Sequence, residues 1–174
     1  MEWTSENLLI TDATIEDVAE LQEIYEQSSY LGEWDGHPER EEDFIRTCLS
    51  EGQLPPSGKK KNYKLKVIRL KETGEAIGYL DLYQGYPSEI DLWLPTMIIS
   101  QAHQGEGYGR ETINLLTFKA DEMGFKTIQL IVALKNWPAI RFWSNNGFDN
   151  IMNISGDKVY GQSSFANMHL AKEL

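Results

Sequence analysis

Apolar and polar positions change their spacing several times along this chain, and each change predicts an element. Leu8, Leu9 and Ile10 form an apolar run within residues 1–13, which predicts a first strand. Thr14 is followed three residues later by Asp17, a capping-box spacing, and Val18, Leu21, Ile24 and Tyr25 then recur at helical intervals. Residues 28–37 lose this period and read as a loop. Pro38 and the pattern Phe44, Ile45, Cys48, Leu49 predict a second, short helix. Residues 51–62, with Pro55-Pro56 and Lys59-Lys60-Lys61, read as a surface connection whose lysines are solvated.

From Tyr63 the period drops to two. Leu65 and Val67 alternate with Lys64 and Lys66, and Thr73-Gly74 marks a turn. In the next strand, residues 76–83, Ile77, Tyr79, Asp81 and Tyr83 share one face, and Gly78, Leu80 and Leu82 share the other. A third strand over residues 89–99 carries Pro95 in its middle. Proline cannot donate to a ladder, so an edge, a bulge or a splay is expected there. Ile113, Leu116, Ala120 and Met123 predict a helix closed by Gly124. Ile128, Leu130 and Val132 predict a strand, and Asn136 opens a helix with Pro138 in its first turn. Two strands, 148–154 and 164–171, complete the chain, with no internal repeat and no linker. One domain over residues 1–174 is expected.

Charge narrows the function classes. With 16 Lys+Arg against 27 Asp+Glu, the formal net charge is −11, which argues against direct binding of nucleic acid. An acidic surface attracts cations, amines among them, as well as keeping a protein soluble. The single cysteine, Cys48, excludes an intramolecular disulfide and fits a small core residue. No stretch has the pattern of a targeting segment or a membrane span, so a cytoplasmic location is expected. His37, His103 and His169 lack metal-ligand spacing and read as structural or surface residues; no metal is expected.

The chemistry centres on Gln104-Gly105-Glu106-Gly107-Tyr108-Gly109-Arg110, between the apolar run Met97-Ile98-Ile99 and a helix. Glycines at a strand-to-helix junction let backbone N–H groups crowd an anion, and the helix N-terminus adds partial positive charge. A P-loop would need Lys-Ser/Thr after the last glycine, where Arg110-Glu111 stand. A dinucleotide turn would need a glycine at Arg110 or Thr112. What matches is Gln-x-x-Gly-x-Gly, which resembles the pyrophosphate-binding motif of the GNAT superfamily of N-acetyltransferases. The stretch from Asn136 to Phe148, an Asn and Ala three apart and a helix closed by Gly147-Phe148, resembles a later motif of the same family. The resemblance covers roughly residue 65 to the C-terminus. It implies a single-domain α/β (α+β) fold, a mixed and mostly antiparallel sheet flanked by helices with a splayed central strand pair. It also implies acetyl-CoA as cofactor, with Gln104, Gly105, Glu106, Gly107, Tyr108, Gly109 and Arg110 around the pyrophosphate. Met97, Ile98 and Ile99 would pair with the pantetheine amides and offer an N–H to the thioester carbonyl, and Asn136 would bond the pantetheine arm.

The resemblance fails at two catalytic positions. The family often places a glutamate eleven residues before its Gln, where this chain has Trp93. Asp91, two residues earlier and on the same strand face, is the candidate base. Many members place a tyrosine seven residues after the Asn, where this chain has Trp143, whose indole is not a useful proton donor near neutrality. Ser144, Tyr108 and Tyr160 are the alternatives, or the thiolate leaves assisted by water. Tyr30, Glu33, Trp34, Asp35, Asp81, Tyr83 and Trp93 supply the acids and aromatics of an acceptor pocket suited to a cationic amine or a peptide N-terminus. The reading is therefore an N-acetyltransferase acting on a primary amine by direct attack in a ternary complex. The rival is a non-catalytic acyl-CoA sensor or inactive partner subunit. A homodimer is left open.

Overall fold

The computed structural model describes residues 2–174. Among these, nine strands form one sheet: β1 (Trp3–Thr4), β2 (Leu8–Asp12), β3 (Tyr63–Leu70), β4 (Ala76–Gln84), β5 (Asp91–Trp93), β6 (Met97–Ile99), β7 (Thr127–Ala133), β8 (Asn150–Gly156) and β9 (Ala166–Glu173). Their order is β1-β2-β3-β4-β5-β7-β9-β8, with β6 bonded to β4. Every pair is antiparallel except β5 with β7. The helices are α1 (Val18–Gln27), α2 (Gly32–Asp35), α3 (Phe44–Ser50), α4 (Tyr108–Glu122) and α5 (Trp137–Asn145). This is the mixed, mostly antiparallel α/β (α+β) architecture expected from the sequence. No helix among the described residues is long and apolar enough to cross a membrane.

Helix spacing decides which face each helix buries. Ile113, Leu116 and Ala120 of α4 and Trp143 of α5 pack on Leu80, Leu82, Leu92 and Leu130 on one side of the sheet. On the other side, Leu21, Ile24 and Tyr25 of α1 and Ile45 and Cys48 of α3 pack on Leu65, Val67 and Tyr79. The capping box forms as its spacing requires: the Asp17 carboxylate accepts from Thr14 N at 2.6 Å, and the Thr14 hydroxyl accepts from Glu16 N at 3.3 Å.

Four local expectations change. The single strand over residues 1–13 is a hairpin, β1 against β2, turning at residues 5–7 (residue 1 lies outside the described residues). Residues 28–37 are not a plain loop but a 3-10 turn, Ser28–Leu31, running into α2. Ile77 leaves the face of Tyr79: the register of β3 with β4 slips between Ile68 and Arg69, so Ile77 has no partner on β3 and joins the Leu80 side of the core. Lys60 is not simply solvated, since its Nζ donates to Cys48 O at 2.8 Å and sits 4.4 Å from the Tyr63 ring centroid.

Candidate active site

Pro95 sits where the sheet divides. On one side β4 pairs with β5 as Tyr83↔Trp93, but with β6 as Leu80↔Met97, so the strand gains one residue between them. On the other side β5 runs beside β7 as far as Trp93↔Gln129, and Leu94 N still donates to Gln129 O at 2.9 Å. Pro95 offers no N–H, and β6 pairs with β4 alone. β6 and β7 therefore part as a V. A cavity of about 900 Å³ occupies the gap, with Met97, Ile98 and Ile99 on one wall and Leu130, Ile131, Val132 and Ala133 on the other.

The bonding of β6 shows which backbone groups face that gap. Asp81 N donates to Thr96 O and Ser100 N donates to Ile77 O, so residues 96, 98 and 100 turn their polar groups to β4. Strand alternation then directs the N–H and C=O of Met97 and Ile99 into the cleft.

One end of the cavity is the glycine turn, with Gln104, Gly105, Gly107, Gly109 and Arg110 on its lining. Gly105 and Gly107 have φ of 85° and 92°, and a Cβ at either would meet open space. Their requirement is backbone conformation, which leaves the surface above them bare for a ligand. Gly109 differs: a Cβ there would lie 3.1 Å from the Phe142 ring, so this glycine lets α4 approach α5. Gly107 caps α4 without a side-chain bond, and the first-turn amides remain for an outside acceptor. A pyrophosphate fits this donor set, with Arg110 as a further cation. Glu106 and Tyr108 belong to the same turn but do not line the cavity.

The floor comes from α5. Asn136 is its N-cap, its Oδ1 accepting from Ala139 N at 3.0 Å, which leaves the amide Nδ2 for a ligand. Trp143 lines the cavity and is held between Phe142 and Phe148, with centroids at 4.9 and 5.1 Å. Ser144 is exposed and off the cavity, which removes it as the proton donor. Tyr108 also lies off the lining, and Tyr160 is 90% exposed.

At the opposite end stand Tyr30, Trp34 and Asp35, with Leu31 and Asn167. The Tyr30 and Trp34 rings meet edge to face at 6.0 Å. Asp35 Oδ1 accepts from His37 N at 2.8 Å, leaving Oδ2 for the cleft. Gly36 presses against the Phe165 ring, where an added Cβ would lie 3.0 Å from a ring carbon. The loop after β8 is tethered in turn by Lys135, whose Nζ donates to Gly161 O and Gln162 O and lies 4.3 Å from the Phe165 centroid. The segment between α1 and α3 and the loop between β8 and β9 thus touch at the rim of this end.

Five residues expected in the acceptor pocket or as its base lie elsewhere. Asp91 sits below the apex of the V, where β5 and β7 are still bonded, so its face never reaches the cleft. Its Oδ1 accepts from Thr127 Oγ1 at 2.7 Å, and its Oδ2 accepts from Ser88 Oγ at 2.7 Å and Ser88 N at 3.0 Å. Burial pushes its pKa up, but the bonds from Thr127 and Ser88 outweigh that and hold it below the ordinary range. A carboxylate so held is a poor base. Asp81 is fully buried under α1 and α3, and burial pushes its pKa up to about 7 against a smaller lowering by the Tyr63 hydroxyl beside it. The buried Tyr79 hydroxyl is unpartnered. Tyr83 is buried and accepts from Lys59 N at 2.8 Å. Trp93 is wedged between Tyr86 and His169, and Glu33 is exposed off the lining.

The structure adds lining residues that the sequence did not assign to the site. His103, expected to be structural or surface, lines the cavity, bonded through Nδ1 to Ser100 Oγ at 2.8 Å. Phe142, Asn146 and Asn167 line it too. Asn167 is an ordinary strand residue that only the pairing of β9 with β7 brings near Ala133. Among the described residues no group of three His, Cys, Asp or Glu could hold a metal ion.

Known proteins share this arrangement. The model of the acetyltransferase (GNAT) family matches residues 17–148. An acetyltransferase of this family from Bacillus anthracis superposes with a TM-score of 0.75 at 16% identity, over 99% of this chain and 98% of its own. A ribosomal-protein alpha-N-acetyltransferase in complex with coenzyme A gives 0.77 at 14% identity, over 100% and 98%. A spermidine N-acetyltransferase chimera from Vibrio cholerae gives 0.73 at 16%, over 97% and 96%. At these identities the structures establish the fold alone. No curated protein matches the chain in sequence. The family match, which spans most of the chain, and the glycine turn beside a splayed strand pair agree: this chain belongs to the GNAT family of acetyltransferases, enzymes that draw on acetyl-CoA.

Proposed function

We propose that the protein transfers an acetyl group from acetyl-CoA to the nitrogen of a small, singly charged primary amine, by direct attack within a ternary complex. The observation that carries this reading is one continuous cavity with an anion-binding turn at one end and a wall of Tyr30, Trp34 and Asp35 at the other. Acetyl-CoA supplies the thioester carbonyl and a thiol leaving group. The chain supplies the rest. Amides of the glycine turn and α4 take the pyrophosphate, and Asn136 Nδ2 meets the pantetheine arm. The cleft-facing N–H groups of Met97 and Ile99 bond its amides and polarise the thioester carbonyl.

Of the four acids expected around the acceptor, only Asp35 lines the cavity. One carboxylate between aromatic rings suits one ammonium group with an apolar body better than a polyamine. With Asp91 bonded away from the cleft, the amine loses its proton to water. The leaving sulfur likewise needs no acid from the protein: its intrinsic pKa of roughly 8–9, that of a free thiol, lets it depart as the thiolate. Trp143 keeps that part of the cleft dry.

Thiol release from acetyl-CoA against a panel of monoamines, polyamines and peptides tests the reading. Turnover is expected with monoamines above all. Tight acetyl-CoA binding with no turnover on any amine would overturn it in favour of a sensor.

A further inference from the structure

The two ends of the cavity are joined by one side chain. Gln104 Nε2 donates to Ile99 O at 2.9 Å and to Tyr30 OH at 2.9 Å. A primary amide has two N–H bonds, and both are used, so the side chain is fixed in orientation. Gln104 opens the anion-binding turn, and Ile99 C=O is one of the groups that face the cleft. Tyr30 belongs to the segment 28–36, whose Trp34 and Asp35 form the acceptor wall. That segment has few other ties. Ser28 Oγ donates to Tyr25 O, Arg40 donates to Ser28 O and His37 O, and Asp35 accepts from His37 N, all within its own neighbourhood. Gly36 touches Phe165 by packing alone. Among the described residues, the bond from Gln104 to Tyr30 is the sole hydrogen bond from residues 28–36 to the phosphate side of the cleft.

We infer that Tyr30 is a positioning residue that transmits cofactor occupancy to the acceptor wall. An anion held by the amides of residues 105–110 immobilises the turn that Gln104 begins. Gln104, fixed at its other N–H by Ile99, then holds the Tyr30 hydroxyl, and the Tyr30 ring holds Trp34 through their edge-to-face contact. The acceptor wall is therefore held more firmly while the acetyl donor is in place. This inference rests on the acetyl-CoA reading above and adds to it a coupling between the two ends.

Backbone hydrogen exchange, with coenzyme A as the probe, tests the coupling without an acceptor. In the unaltered protein coenzyme A is expected to slow exchange both at residues 104–110 and at residues 28–36. The second effect should be roughly two- to tenfold, the scale of one neutral hydrogen bond. Tyr30→Phe keeps the ring and its contact with Trp34 and removes only the hydroxyl. It should preserve the slowing at 104–110 and lose that at 28–36. Equal slowing at 28–36 in both proteins would mean that the ligand shields the segment directly, and the inference would fall. It would fall equally if coenzyme A slowed 104–110 and left 28–36 unchanged in the unaltered protein. No slowing at 104–110 would overturn the acetyl-CoA reading itself, and the coupling with it.

Discussion

The two ends of the cleft are built in opposite ways. At the phosphate end, seven consecutive residues supply the turn, the amides and the start of α4, so backbone conformation and ligand chemistry reside in one stretch. The acceptor end is assembled from the segment 28–36, the tip of β7 and the strand β9, which meet only through tertiary packing. Main-chain groups dominate the first end and side chains the second. A backbone site resists most substitutions except those that change φ or the wall behind it. A side-chain site changes with each residue that lines it. At the phosphate end, substitutions that change φ or that wall are therefore expected to weaken donor binding, and those at the acceptor end to redirect the enzyme among amines.

The largest effect is expected from the wall behind the donor. Trp143 is 8% exposed between two phenylalanines, and Trp143→Ala should cost about 3–5 kcal/mol of stability as well as donor affinity. Chemical denaturation and calorimetry measure the two. Trp143→Phe should retain most activity. A loss of several orders of magnitude in rate with binding unchanged would show that the indole N–H touches the transition state. Gly107→Val follows: φ of 92° is strained for a β-branched residue, and acetyl-CoA affinity should fall roughly a hundredfold by calorimetry, with acceptor-wall residues unaltered. Unchanged affinity would break the contrast between the ends.

This contrast also explains what the sequence disclosed. The glycine turn, Asn136 and the break at Pro95 were legible because each combines a local backbone requirement with a fixed spacing. The strand acids Asp81 and Asp91 were misplaced because counting by twos along a strand gives a face but not what covers it. Asp91 shares its face with Trp93, yet it lies below Leu94, the last residue of that strand still bonded to β7, and the cleft opens only beyond that point. Asp81 lies opposite Leu65 on a face that α1 and α3 roof over. Ile77 changed sides through a register slip that no residue announces. Tyr30 with Gln104, and Asn167 with the cleft, are joined by contacts between residues too distant in sequence for any spacing to report.

Asp81 gives the next effect, and separates a buried acid from an acceptor residue. Its pKa is about 7 in the folded protein against an ordinary value near 3.8. A raised folded pKa means that the neutral acid is accommodated, so its contribution is complete below the unfolded value and lost as pH rises through the folded one. Between about pH 5.5 and 7.5 this loss amounts to about 2 kcal/mol. Asp81→Asn should flatten that slope in urea denaturation and leave the KM for amines unchanged. A raised amine KM with an unaltered slope would return Asp81 to the acceptor site.

The smallest effect is expected at Asp35, and it is the one that defines the acceptor end. Its carboxylate is half-buried, lines the cavity, and keeps Oδ2 unbonded while Oδ1 holds His37 N. An ammonium group nearby is stabilised across partly solvated space, which limits the interaction to about 1 kcal/mol. Asp35→Asn keeps the side-chain oxygen that accepts from His37 and removes only the charge. The KM of a monoamine should then rise about five- to tenfold, kcat should hold, and acetyl-CoA affinity should not move. Salt should raise the KM of the unaltered enzyme and have little effect on the variant, because screening acts on the same charge. A kcat that fell with KM unchanged would mean that Asp35 takes the proton, making it the base that Asp91 cannot be. An effect on acetyl-CoA affinity equal to that on the amine would show that charge at the acceptor wall is felt along the whole cleft, and that the two ends are not independent in electrostatics even though they differ in construction.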